Sequence, residues 1–247
     1  KQRRRATRVR NRVRKVEQLK NQGQSTNYEA TYALEKEKRD FAKDMGWFGK
    51  YCFPKALAKD TPPFHRDIYK HLKNDDTRRV LIAAPRGTAK STVCSLIFPM
   101  YKIAYKKPEE DLFIVIVSES QAQSVNFLSR IKYHLEHSQN FKDIFGDFSS
   151  ATAKRWTGAD IVLKNGTRIV AVGTGQRVRG FIEGDTRPNV IIVDDFESEL
   201  NAFTPEARTK NRKWMTEAVI PSLSDEGRIV MIGTVISEDC FLYWAKD

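Results

Sequence analysis

From residue 79 onward, short runs of consecutive apolar residues alternate with longer stretches in which apolar positions recur every three or four residues. The first pattern predicts strands buried on both faces and the second predicts helices packed on one side. Strands are expected at Val80 to Ala84, Leu112 to Val117, Val190 to Val193 and Ile229 to Ile232. Helices are expected at Lys90 to Tyr105, Ala122 to His137 and Pro205 to Ala218, the last opened by Thr204 with Pro205 at its first position. Phe127, Leu128, Ile131 and Leu135 form the core stripe of the second of these helices. Ile161 to Leu163 and Arg168 to Val172 flank Asn165-Gly166, the pair favoured in a two-residue hairpin turn. Continuous apolar strands separated by helices imply an α/β fold whose mostly parallel sheet is flanked by helices.

The amino-terminal third follows another pattern. Residues 1 to 20 form a basic arm with Val9, Val13 and Val16 at helical spacing, and Asn21 to Asn27 is a polar break. Ala30 to Met45 predicts a charged helix that Gly46 and Gly49 end. A short helix is expected from Phe64 to Leu72, where Phe64, Ile68 and Leu72 stand four apart after Pro62 and Pro63. The expected organisation is an arm at 1–20, a helical segment and linker at 21–60, and one α/β domain at 61–247.

Composition narrows the function classes. The chain of 247 residues carries a formal charge of +12, which suggests a polyanionic partner. Ten basic groups and one acid fall within residues 1–20, so the arm holds +9 and the rest is nearly balanced at +3. A protein that coats DNA with a uniformly basic surface is therefore disfavoured. Cys52, Cys94 and Cys240 lie far apart and suggest neither a zinc site nor a disulfide framework. Leu112 to Val117, the longest strongly apolar run, is too short to cross a bilayer, which implies a soluble, intracellular protein.

The richest segment for chemistry is Val80 to Thr92, which reads strand, tight loop, helix. In the phosphate-loop frame G-x-x-x-x-G-K-[S/T], Lys90 and Ser91 match, while Ala84 and Ala89 replace both glycines. The mechanism needs inward backbone N–H groups at a helix start, a lysine for the β- and γ-phosphates and a hydroxyl for Mg²⁺. Gly87 keeps one permissive position. About 100 residues downstream, the apolar run Val190 to Val193 ends in Asp194-Asp195. An acid there can hold Mg²⁺ beside Ser91, and Asp195 or Glu197 can orient and deprotonate a water. Together the two segments favour nucleotide hydrolysis.

The order of these segments resembles the ATPase domain of the large terminase subunit, the DNA-packaging motor of tailed bacteriophages. The resemblance runs from about Pro62 to the end and rests on five segments. Residues 63–69 are similar to the adenine-side motif, implying that Phe64 and His65 flank the base. Pro85, Arg86, Gly87, Thr88, Ala89, Lys90 and Ser91, continuing into Thr92, resemble the variant phosphate loop. Asp194-Asp195-Phe196-Glu197 resembles the second motif, and Met231 to Thr234 the coupling motif, whose Thr234 would sense the γ-phosphate. Gly173 to Gly180 resembles the Gly- and Arg-rich loop before the second motif. Its glycines at 173, 175 and 180 are expected to permit unusual backbone angles.

What the resemblance implies is a P-loop NTPase of the additional-strand, catalytic-acid division that uses ATP and Mg²⁺, with Ser91 and Asp194 at the metal. Arg179 is the first choice for an arginine finger acting on a neighbouring subunit, Arg177 the second, and Arg86 the in-cis alternative. Double-stranded DNA, a portal protein on a procapsid, a small terminase subunit and a homo-oligomeric ring are the implied partners, in the host cytoplasm. A nuclease would belong to a longer parent chain. The competing readings are a helicase-like ATPase and a non-hydrolysing DNA- or capsid-docking module. Arg208, Lys210, Arg212 and Lys213 offer either a DNA-facing or a solvated helix face.

Overall fold

A computed structural model describes residues 11, 27–58, 61–176, 178, 186–198 and 202–246. The basic arm, apart from residue 11, and the arginine loop at 177 and 179–185 lie outside the described residues.

Among the described residues, seven strands form one sheet: β1 (Arg79–Ala83), β2 (Phe113–Ser118), β3 (Arg155–Trp156), β4 (Asp160–Val162), β5 (Arg168–Gly173), β6 (Val190–Asp194) and β7 (Arg228–Gly233). Their spatial order is β1-β7-β6-β2-β5-β4-β3. The first five in that order are parallel, and β4 and β3 extend the sheet antiparallel. Strand β7 thus sits between β1 and β6, the two strands that lead into the Ala84 to Ala89 loop and the Asp194-Asp195 pair. The expected α/β architecture is the observed one.

The continuous apolar runs are explained by two cores. Alternate residues of each strand point to opposite faces. Ile114, Ile116, Ile169, Val190, Ile192 and Ile232 enter one core, while Val115, Val117, Val172, Ile191, Val193 and Met231 enter the other. Both faces are covered, so strands β2, β6 and β7 are buried throughout.

The first core is covered by α1 (Asn27–Lys43), α2 (Met45–Cys52), α3 (Pro63–Lys73), α4, α5 (Gln121–His137) and α6 (Gln139–Phe145). Helix α4 runs continuously through Lys90–Thr92, a π-helical turn at Val93–Ile97, and Phe98–Ala104. Helix α7 (Pro205–Trp214), prolonged by a π turn at Met215–Val219, and the short α8 (Phe241–Trp244) cover the second core. Cys52, Cys94 and Cys240 are free thiols, all buried. Among the described residues, no helix is long and apolar enough to cross a membrane.

Several local expectations change. Asp44, not a glycine, separates the first two helices: its side chain accepts from the Trp47 N–H and caps α2. Gly46 and Gly49 lie inside α2, because their neighbours leave no room for a side chain. A Cβ would stand 2.9 Å from the Tyr69 ring at Gly46 and 2.9 Å from Leu57 at Gly49. Within the segment at 21–60, Phe41, Phe48, Cys52 and Phe53 are nearly inaccessible and pack into the first core. Tyr101 and Tyr105 hydroxyls donate to the Ala42 and Lys38 carbonyls, each at 2.7 Å, and fasten α1 to α4.

The β4–β5 turn is also one step out of the expected frame. The Gly166 N–H donates to the Leu163 carbonyl at 2.9 Å, so Lys164 and Asn165 are the central residues. Gly166 follows them with φ +83°, the arrangement of a type I turn closed by a bulge rather than a two-residue turn.

Candidate active site

The carboxyl ends of β1, β7 and β6 lie side by side, with Ala83 paired to Gly233 and Asp194 to Ile232. That register places the loop after β1, Thr234 and the two aspartates along one edge of the sheet, where open α/β sheets bind ligands.

Between β1 and α4 the loop turns on two left-handed residues, Gly87 (φ 80°) and Ala89 (φ 58°). Ala89 therefore occupies a backbone position suited to glycine, and the missing glycine has not removed the turn. Thr88 Oγ1 closes the loop by donating to the Pro85 carbonyl at 2.8 Å. His65 on α3 is buried, and its Nε2–H donates to the Thr88 carbonyl at 2.6 Å. This imidazole thus buttresses the loop backbone. Phe64, beside it, remains partly exposed. No side chain caps the start of α4, so its first N–H groups lack the usual internal acceptor.

Lys90, first in α4, is 5% exposed. Its Nζ donates to Thr234 Oγ1 at 3.0 Å, and that hydroxyl donates to the Ala84 carbonyl at 3.2 Å. One hydroxyl proton and one of its lone pairs thereby join the loop to the end of β7.

Asp194 ends β6 with no exposed surface. Ser91 Oγ donates to Oδ1 at 3.0 Å, and Ser95 Oγ, four residues along α4, donates to Oδ2. Burial raises the Asp194 carboxyl to about 6, with the Asp195 charge adding to the effect and the Ser95, Ser91 and Lys90 interactions opposing it. The motif pattern does not include Ser95, although its i+4 relation to Ser91 places both on one helix face.

Asp195 turns the chain out of β6 with φ 45°. Its N–H donates to the Ile232 carbonyl at 3.0 Å and its carbonyl accepts from the Glu119 N–H at 3.2 Å. Among the described residues, its carboxylate accepts no hydrogen bond. Glu197 is placed differently: it accepts from Asn211 Nδ2 of α7 at 3.4 Å and from the Phe241 N–H at the start of α8. A cavity of about 20 Å³, lined by Asp195, Glu197, Gly233 and Thr234 among others, is large enough for one water.

Arg86 is exposed and makes no hydrogen bond or ion pair among the described residues. Thr92 Oγ1 accepts from Arg130 Nη2 on α5 at 3.2 Å, a neighbour that sequence spacing did not indicate. Arg177, Arg179 and Gly180 fall outside the described residues. Gly173 has an ordinary backbone angle; its requirement is space, since a Cβ would lie 2.4 Å from the Gln121 nitrogen. Gly175 does adopt a left-handed φ of 81°. On α7, Arg208 donates to the Ala202 and Phe203 carbonyls and Arg212 to the Asp239 carbonyl, so these two turn toward neighbouring protein segments.

Among the described residues, no group of three or more His, Cys, Asp or Glu side chains could hold a metal ion. The donor set at this edge is a hydroxyl and a carboxylate. Such hard oxygen donors fit Mg²⁺, which is commonly held by one or two carboxylates together with phosphate oxygens and water.

A scan against protein-family models finds no match, and neither does a search of curated proteins. Among solved structures, the fold is similar to that of a variant of the large terminase ATPase domain from Thermus phage P74-26. The TM-score is 0.50 and the identity 13%, covering 78% of this chain and 72% of that one. A second structure of that ATPase domain aligns with a TM-score of 0.47 and 14% identity, covering 73% of this chain and 67% of that one. At such identity the first likeness concerns the fold alone, here a mostly parallel sheet of seven strands among the described residues, flanked by helices.

Proposed function

We propose that this chain is an Mg²⁺-dependent ATPase that drives double-stranded DNA into a viral procapsid. One observation carries the nucleotide reading: Lys90, Ser91, Asp194 and Thr234, from three different segments, converge on the uncapped start of α4. The terminase-like fold supports the packaging reading. A ring of copies, a portal protein and a small terminase subunit are the proposed partners.

In this reading the loop N–H groups and the Lys90 ammonium bind the phosphates, where a largely buried cation acts in a low dielectric. Ser91 and Asp194 would hold Mg²⁺, which when bound neutralises charge on the β- and γ-phosphates. Asp195 is the preferred group to orient the attacking water and accept its proton, because its carboxylate accepts no hydrogen bond among the described residues while Glu197 is engaged by Asn211 of α7 and the Phe241 N–H of α8. Thr234, bonded to both Lys90 and the loop, would relay phosphate loss to β7. His65 supports the loop from α3, and Arg86 and Arg179 remain the proposed sources of an arginine finger.

The test is ATP turnover by the protein assembled with DNA and a portal-bearing procapsid. Lys90→Ala is expected to lose phosphate binding and turnover; Asp195→Asn should retain nucleotide binding and lose turnover by roughly 10²-fold or more. No turnover by the unsubstituted assembly would replace the motor with a non-hydrolysing docking module. Full activity in Asp195→Asn would move the water-activating role elsewhere.

A further inference from the structure

Asp194 is held by two hydroxyls on successive turns of one helix, and only Ser91 belongs to the phosphate-loop pattern. A serine within a helix ordinarily points to solvent or bonds back to the carbonyl four residues earlier. Ser95 does neither. It is 1% exposed, sits within the π turn Val93–Ile97, and donates to the Asp194 oxygen that Ser91 leaves free. Single π turns inside α-helices often occur at functional sites.

We infer that Ser95 is a positioning residue for the metal site, fixing the Asp194 carboxylate so that Oδ1 stays directed at Ser91. This inference rests on the nucleotide reading given above. With one oxygen tied by Ser95, rotation of the carboxylate about its Cβ–Cγ bond would break a buried hydrogen bond. The Ser91–Asp194 pair is therefore held in place before a cation arrives. Groups that orient a metal ligand through its second atom affect metal affinity without touching the ion. A hydroxyl that merely satisfied a buried acceptor would support folding and leave the affinity of the folded protein unchanged.

The experiment is Mn²⁺ titration of the protein–ADP complex, followed by electron paramagnetic resonance, with ADP affinity measured separately in chelator. For Ser95→Ala the Mn²⁺ dissociation constant is expected to rise roughly 10-fold or more, while metal-free ADP affinity stays unchanged. A rise of less than about threefold in the folded variant overturns the assignment. So does an equal loss of metal-free ADP binding, which would show a general disturbance of the loop. Should Ser95→Ala fail to fold, Ser95→Cys keeps most of the volume, substitutes a weaker donor and carries the same expectation and the same refuting result. Failure of the unsubstituted protein to bind ADP and Mn²⁺ together would instead overturn the nucleotide reading itself.

Discussion

Ala89 shows how a failed pattern match can conceal an intact local geometry. The motif asks for glycine before the lysine because that position is left-handed, and the backbone here is left-handed with alanine in place. An L-residue in this region carries about 1–2 kcal/mol of strain, whereas glycine elsewhere commonly costs about 0.5–1 kcal/mol in chain entropy. Ala89→Gly should therefore leave stability unchanged or raise it by up to about 1 kcal/mol, as read by urea unfolding. A clear loss of stability would show that the strain is relieved by contacts of the methyl group. The closeness of Lys90, Ser91 and Asp194 was legible because residue type and local spacing mark those positions along the chain. The partners of His65 and Glu197 were not: a loop carbonyl and a helix-start N–H become their neighbours only when separate segments pack.

At the level of elements, the strands were the most readable because burial on both faces leaves no polar alternation. Helix α6 and the two-residue β3 went unnoticed, being too short for a period to repeat. Gly46 and Gly49 misled because glycine that breaks a helix and glycine that allows close packing look alike along a chain. Gly173 repeats that lesson at the β5–α5 contact. Gly173→Ala would drive a methyl into the backbone at Ser120 and Gln121, which cannot yield as a flexible side chain would. The expected loss is about 3 kcal/mol, with a lowered urea midpoint. A second prediction belongs to the α5 contact with Phe53, where the His134 ring lies 4.9 Å from the phenyl centroid. Burial, helped by the Arg130 and His137 charges, lowers the His134 imidazole from 6.5 to about 4. Its neutral form is favoured in the fold, so this contribution to stability is intact above pH 6.5 and declines as pH falls toward 4. His134→Gln should flatten the denaturant midpoint across that interval; an unchanged profile would remove His134 as its source.

For the whole molecule, charge and chemistry are separated along the chain. The arm carries +9, whereas the convergent site is built wholly from residues 65 to 234. Deleting residues 1–20 is expected to weaken DNA binding and flatten its salt dependence while leaving ATP affinity unchanged. Loss of ATP binding with the arm would refute that division. The three buried thiols have a different consequence. Cys52 lies in the aromatic layer around α2, Cys94 in the π turn Val93–Ile97 of α4, and Cys240 at the start of α8. A thiol reagent can reach each one only when its surroundings open. The unaltered chain thus carries three internal clocks, whose labelling rates by mass spectrometry would tell which layer loosens first.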